Sequence, residues 1–230
     1  MDSGGEKNIE WMALDSADVV ASTVLEMISD AAIQAIAERG HFSLVLAGGT
    51  TPQKVYRRLA SSEQVWARWA LYYGDERCLP VGDDERNSTM VERSGLAARV
   101  VQHYPIPAEL GAETGAAQYE PVVAAALPFD MVLLGMGEDG HTASLFPGHD
   151  HDLPRLVIPV HDAPKPPPDR ISLTPGALKR CREMIVMVTG SSKAAALQGW
   201  QEGRKLPVAE VVDATENVKV VTDLNLSNSG

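Results

Sequence analysis

The chain has 230 residues, two cysteines and a formal charge of −11, from 20 Lys and Arg against 31 Asp and Glu. That length suits one α/β domain with a full core and no need of staples, and Cys78 and Cys181 alone argue against a disulfide framework or a cysteine zinc site and for a reducing compartment. The acidic balance argues against nucleic acid or an anionic membrane as partner, and no stretch approaches eighteen consecutive apolar residues, so a soluble cytoplasmic protein is expected.

Met1 to Glu10 is short and polar and is expected, with residues 225–230, to form flexible tails. From Ser16 to Arg39, Val19, Val20, Val24, Met27, Ile28, Ala31, Ala35 and Ile36 recur at helical spacing, and Gly40 is the stop. Phe42 to Leu46 is a short apolar strand that runs into Gly48-Gly49-Thr50-Thr51-Pro52, after which Val55, Tyr56 and Leu59 resume the helical period. A threonine cap with proline at the first helical position would leave the N–H groups of that turn free to meet an anion. Trp69 to Tyr73 is a further strand that leads into Gly74-Asp75-Glu76-Arg77, followed by a loop with Pro80, Gly82 and Asp83 and a helix expected over about Asn87 to Arg99.

Ala112 to Ala126 has helical composition, which Pro121 should break or kink. Met131 to Leu134 is apolar at every position, the mark of a strand covered on both faces. Val157 to Val160 and Arg170 to Thr174 read as short strands, with Pro164 to Pro168 as a surface connector between them. Met184 to Val188 is a strong apolar strand that ends in Thr189-Gly190-Ser191-Ser192-Lys193 and a helix through Trp200, and Val218 to Val221 reads as one more strand. The alternation predicts a single α/β domain over 1–230, a doubly wound and mainly parallel sheet with helices on both faces, whose ligands sit beyond the carboxyl ends of the strands.

Gly135, Gly137 and Gly140 satisfy G-x-G-x-x-G, yet Pro147 and Gly148 stop any helix too soon for a dinucleotide fold, so no nicotinamide cofactor is expected. The same turn places Asp139 and His141, a carboxylate and an imidazole, at the open edge of the sheet. His149-Asp150-His151-Asp152 alternates in a Pro- and Gly-flanked loop without a regular face to fix ligands, so it reads as a solvated loop and no metal is expected. Cys78 reads as a partly buried thiol without function. Taken singly, the glycine turns are ordinary helix starts, the cations solvated and His141 structural; their occurrence after separate strands changes that.

Five segments fall in order: Leu46 to Pro52, Gly74 to Arg77, Gly135 to Pro147, Arg170 to Thr174, and Val188 to Ala194. Together they resemble the 6-phosphogluconolactonase family over about residues 15 to 225, the stretch G-x-G-x-D-G-H-T-A-S-L-F-P being the most specific. The resemblance implies hydrolysis of 6-phospho-D-glucono-1,5-lactone to 6-phosphogluconate in the oxidative pentose phosphate pathway, with no metal or organic cofactor, on a fold shared with glucosamine-6-phosphate deaminase. It also implies that Arg170 and Lys193 close around the phosphate. The deaminase motif continues Ile-Ala-Phe-Asn-Glu after Asp-Gly-His, and Phe146 stands here in place of its glutamate.

Opening a lactone needs an activated water, a donor for the oxyanion and a proton for the leaving ring oxygen. His141 can take the first proton and return it, with Asp139 or Asp75 orienting or stabilising its ring. Gly48, Gly49, Thr50 and Thr51 offer backbone donors for a phosphate, and Arg77 is left between phosphate and sugar acid. No G-x-S-x-G elbow favours a covalent route. The rival readings are a deaminase or isomerase on the same fold, which lacks its acid here, and a non-catalytic sugar-phosphate-binding module, for which the chain has no spare helix-turn-helix or basic face. The oligomeric state is open, a monomer being compatible.

Overall fold

The computed structural model describes residues 8–151, 154–213 and 215–226. Seven parallel strands make the main sheet: β1 (Asn8–Ala13), β2 (Phe42–Leu46), β3 (Trp69–Tyr73), β5 (Gln102–His103), β6 (Phe129–Gly135), β9 (Cys181–Val188) and β10 (Asn217–Thr222), in the spatial order β1-β10-β9-β6-β2-β3-β5. β2 and β3 are buried at every position, and so is β6 up to Leu134, as unbroken apolar runs in a two-sided parallel sheet must be. From β2 the chain crosses outward to β3, whereas from β6 it proceeds to β9 on the other side. The strand order therefore reverses between the neighbours β2 and β6, where a crevice opens beyond the strand ends.

Helix α1 (Ala17–Arg39) starts on Ser16, whose hydroxyl accepts from the Val19 N–H, and ends on Gly40 at φ 80°. By length and composition it could cross a membrane, but Val20, Val24, Ile28, Ala32 and Ala35 are a stripe buried in the core. The remaining helices are α2 (Thr50–Ala60), α3 (Asn87–Arg93), α4 (Ala112–Ala126), α5 (Pro175–Leu178), α6 (Ala194–Gln201) and α7 (Pro207–Val212). The doubly wound parallel sheet is thus as expected.

Several local expectations differ. β4 (Asp75–Arg77), β7 (Val157–Val160) and β8 (Arg170–Leu173) leave the main sheet and form a second, antiparallel sheet in the order β4-β8-β7. Strands of three or four residues carry too little periodicity to declare their partners, and Asp75 to Arg77 gave no strand signal of their own. The polar first segment is not all tail, because Asn8–Ala13 pairs with β10; residues 1–7 and 227–230 lie outside the described residues. α4 runs unbroken through Pro121. Its neighbour Glu120 accepts from the backbone N–H groups of Leu156 and Val157 at 2.9 and 2.8 Å, so tertiary bonds and packing outweigh the hydrogen bond that proline forfeits. α3 stops at Arg93, ahead of Gly95 at φ 82°, and Ala97–Arg99 is a separate 3-10 turn.

Candidate active site

A cavity of about 340 Å³ lies at the crevice, walled by the turns after β2, β3 and β6, by Lys193 beyond β9, and by Arg77, Lys165 and Arg170 from the small sheet and its loop. Every parallel strand that reaches it does so by its carboxyl end. His141 lines this cavity, and its Nδ1 lies 2.5 Å from Asp139 Oδ1, which also accepts from the His141 backbone N–H at 3.2 Å. The imidazole is 19% exposed and the carboxylate 39%, so the pair stands at the wall and is not packed away from solvent. Burial pushes the Asp139 carboxyl up, but the hydrogen bonds from the His141 ring and backbone outweigh it and hold the group below its ordinary value. An ionised acceptor at Nδ1 fixes the tautomer with its proton there, which leaves Nε2 of the neutral ring as a proton acceptor.

The turn is built around that ring. The Gly137 N–H donates to the His141 carbonyl at 2.8 Å, and a Cβ on Gly137 would lie 2.1 Å from Nδ1 and Cε1 of His141. Gly140 has φ 82°, a left-handed conformation open to glycine at little cost. Beyond it, Thr142 Oγ1 donates to the Gly135 carbonyl at 2.8 Å, and Phe146 is fully buried with its ring centroid 4.9 Å from that of His141.

Of the two aspartates that could serve His141, the geometry pairs the imidazole with Asp139. Asp75 also borders the cavity but is buried, with Oδ1 accepting from Asn87 Nδ2 at 2.9 Å and Oδ2 from Ser144 Oγ at 2.7 Å. It ties the start of β4 to α3 and to the loop after His141.

Arg77, Arg170 and Lys193 converge on the same cavity. Arg77 and Arg170 are register partners across the β4–β8 pair, and like charges placed opposite one another repel unless an anion lies between their heads. Burial and the nearby Arg77 push the Arg170 guanidinium down. Arg170 lies over the face of Phe146 at 5.5 Å, with Nε donating to the Pro167 carbonyl at 3.1 Å and a terminal nitrogen to that of Lys165 at 2.8 Å. Among the described residues the buried Nε of Arg77 has no hydrogen-bond partner, while its Nη1 donates to the Glu85 carbonyl. The Lys193 ammonium donates to the Met136 carbonyl, and burial pushes it down as well. Two buried-edge arginines and a lysine, in a protein of charge −11, form a local well for an anion.

The glycine turn contributes Gly48 and Gly49 to the wall but not the threonines. The helix cap is Gly49, at φ 115° and without a side-chain bond, so α2 begins at Thr50 and Pro52 is its third residue. Thr50 is exposed, and Thr51 is buried with its hydroxyl 2.6 Å from that of Thr189, a tie between the turns after β2 and β9. Their backbone N–H groups belong to the first turn of α2, where helical partners are lacking.

The family model for glucosamine-6-phosphate isomerases/6-phosphogluconolactonase matches residues 15–221. The chain belongs to this family. A 6-phosphogluconolactonase of Mycobacterium leprae is 39% identical over 201 residues, covering 77% of this chain and 81% of its own. One from Streptomyces coelicolor is 38% identical over 204 residues, covering 79% and 77%. The crystal structure of 6-phosphogluconolactonase from Thermotoga maritima superposes with a TM-score of 0.85 at 26% identity, over 94% of this chain and 99% of that one. A monomeric glucosamine-6-phosphate deaminase shares the fold, with a TM-score of 0.79 at 19% identity.

Within this family member the structure adds residues that the sequence reading passed over. Asn87 is buried on the wall and donates to both the carbonyl and the carboxylate of Asp75, and Gly48 is small because a Cβ there would meet Asn87 Oδ1 at 2.2 Å. The Pro164–Pro168 segment is no mere connector, since Lys165 and Pro166 face the cavity and its carbonyls hold Arg170. Its signal was a lysine among prolines just ahead of a predicted site arginine. His151 is buried rather than solvated, its Nδ1 3.7 Å from Glu210 Oε2, whereas Asp152 lies outside the described residues. Among the described residues no group of three or more His, Cys, Asp or Glu side chains is placed to hold a metal ion.

Proposed function

We propose that the protein hydrolyses 6-phospho-D-glucono-1,5-lactone to 6-phosphogluconate. One observation carries the reading: an imidazole backed by a carboxylate at 2.5 Å shares a small cavity with Arg77, Arg170 and Lys193. The phosphate dianion sits among these cations, with the Gly48 and Gly49 turn adding backbone donors beside the start of α2. The lactone carbonyl then lies toward His141.

Nε2 of His141 accepts a proton from a water as its oxygen attacks C1, which forms the tetrahedral oxyanion, and Asp139 stabilises the imidazolium. As the C1 bond to the ring oxygen breaks, the imidazolium gives that proton to the departing oxygen. One water is consumed, the acid and a hydroxyl are formed, and the imidazole returns neutral. Asp75 and Asn87, bonded to each other, form part of the wall that the sugar meets. No step calls for a metal or an organic cofactor, so chelators should leave the rate as it is.

The test follows loss of freshly generated lactone against the spontaneous background. Wild-type protein should accelerate it strongly, and His141→Ala should lose about 10²- to 10⁴-fold in kcat, the usual share of a positioned acid–base group. A variant within a few fold of wild-type turnover would remove His141 from this role. Ammonia release from glucosamine-6-phosphate, with no effect on the lactone, would move the protein to the isomerase side of the family.

A further inference from the structure

We infer that Lys165 is a fourth phosphate-binding cation and sets the preference for a phosphorylated over an unphosphorylated lactone, an inference that rests on the lactonase reading. Lys165 lines the cavity with Lys193, and the two ammonium groups repel each other. It rides on a loop that is stiff by composition, Pro164-Lys165-Pro166-Pro167-Pro168. The Ala163 N–H closes the base of that loop on the Pro168 carbonyl at 3.0 Å. Arg170 fastens its middle, donating to the carbonyls of Lys165, Pro166 and Pro167 at 2.8, 3.3 and 3.1 Å. A long cationic side chain is thus presented to the cavity by the same arginine that faces the ligand.

The partner Lys165 has now is a weak one. Its Nζ lies 3.8 Å from Glu138 Oε2, and both side chains are 56% exposed, so solvent screens the pair. Glu138 belongs to the turn that carries Asp139 and His141, and it also lines the cavity. A phosphate dianion between Lys193 and Arg170 offers Lys165 more negative charge than one carboxylate does, and there it relieves the Lys165–Lys193 repulsion as well. Lys165 therefore trades Glu138 for the phosphate when substrate binds. An unphosphorylated lactone gives it no reason to leave Glu138.

The experiment compares wild type, Lys165→Ala and Lys165→Arg with 6-phosphogluconolactone and with unphosphorylated gluconolactone. Lys165→Ala should raise KM for the phosphorylated substrate about tenfold with a smaller effect on kcat, lowering the preference for it by a similar factor. Lys165→Arg should restore most of both. An arginine variant as impaired as the alanine variant, or equal losses on the two lactones, would mean that Lys165 only packs the loop and would overturn the inference. Calorimetric titration with inorganic phosphate separates this from the functional reading. If wild type fails to hydrolyse the lactone but Lys165→Ala still weakens phosphate binding about tenfold, the phosphate role stands and the activity falls; equal phosphate affinity in the two proteins removes the role.

Discussion

Replacing Asp139 with Asn keeps the volume beside His141 while removing the charge. The charges of an imidazolium and its carboxylate would sit about 4 Å apart, which at an effective dielectric near 20 is worth about 4 kcal/mol. The carboxylate is 39% exposed and the ring 19%, and solvent screening reduces that figure to about 2 kcal/mol. Since the imidazolium that forms as water is deprotonated is what the carboxylate stabilises, the loss should fall on kcat, by about 30-fold, with little change in KM. Lactone hydrolysis by Asp139→Asn, His141→Ala and the double variant gives the assay. If Asp139 acts through His141, the double variant should be no slower than His141→Ala, because the carboxylate has nothing left to stabilise. A further 30-fold loss on the alanine background would refute this and give Asp139 an independent role.

Gly137→Ala should cost at least as much activity as Asp139→Asn, because its Cβ would stand 2.1 Å from Nδ1 of His141 and drive the ring off its partner. The rate assay together with thermal melting checks it, and wild-type turnover in a folded variant would show that the ring can shift without consequence. Burial holds the Lys193 ammonium below its ordinary value, so on the alkaline side part of the free protein lacks that proton. A bound dianion draws the group back up. Well above neutral pH, where free phosphate is already the dianion, its binding should therefore take up protons increasingly as pH rises, measurable by calorimetry in buffers of different ionisation enthalpy, and proton release in that range would contradict it. Burial also pushes the Cys78 thiol up to about 11 and the Cys181 thiol to about 12. At pH 8 their alkylation should be about a hundredfold or more slower than that of a free cysteine, accelerating with pH through the alkaline range, as a mass-spectrometric time course would record.

The main sheet was legible because two-sided burial writes itself as unbroken apolar runs, and Phe42–Leu46 and Trp69–Tyr73 end where such runs end. The edge strand β1 was not, since Asn8–Ala13 mixes polar and apolar residues and borrows its strand character from β10. Within the site, Gly137, Asp139 and His141 are local to one turn, so their grouping could be read along the chain. The choice between Asp139 and Asp75 could not, because it depends on Ser144, 69 residues from Asp75, and on Asn87 filling the space left by Gly48. Thr51 misled for a related reason: its hydroxyl reads as a cap, yet its partner is Thr189, 138 residues away. Prolines report backbone stiffness and say nothing of what a stiff loop presents, which is why Lys165 passed for part of a connector.

The chemistry and the anion well come largely from different sheets, and the segment after His141 is the seam between them. His141 hangs from β6 of the parallel sheet, whereas Arg77 and Arg170 belong to the antiparallel one. Ser144 crosses the seam, its Oγ donating to Asp75 at 2.7 Å and its backbone N–H to Ser172 Oγ at 3.3 Å. Phe146 crosses it too, with the imidazole centroid 4.9 Å from its own and the Arg170 guanidinium 5.5 Å away. A buried apolar ring at that point supports both groups without competing for either. A glutamate there, as in the deaminase motif, would be a buried carboxylate beside Arg170, and an unpaired buried charge is costly enough that it would bind the guanidinium. A phosphate bound as proposed would then have to compete with that acid for Arg170. Phe146 is thus more than the absence of a deaminase glutamate: it lets Arg170 face a ligand while His141 keeps its place on Asp139.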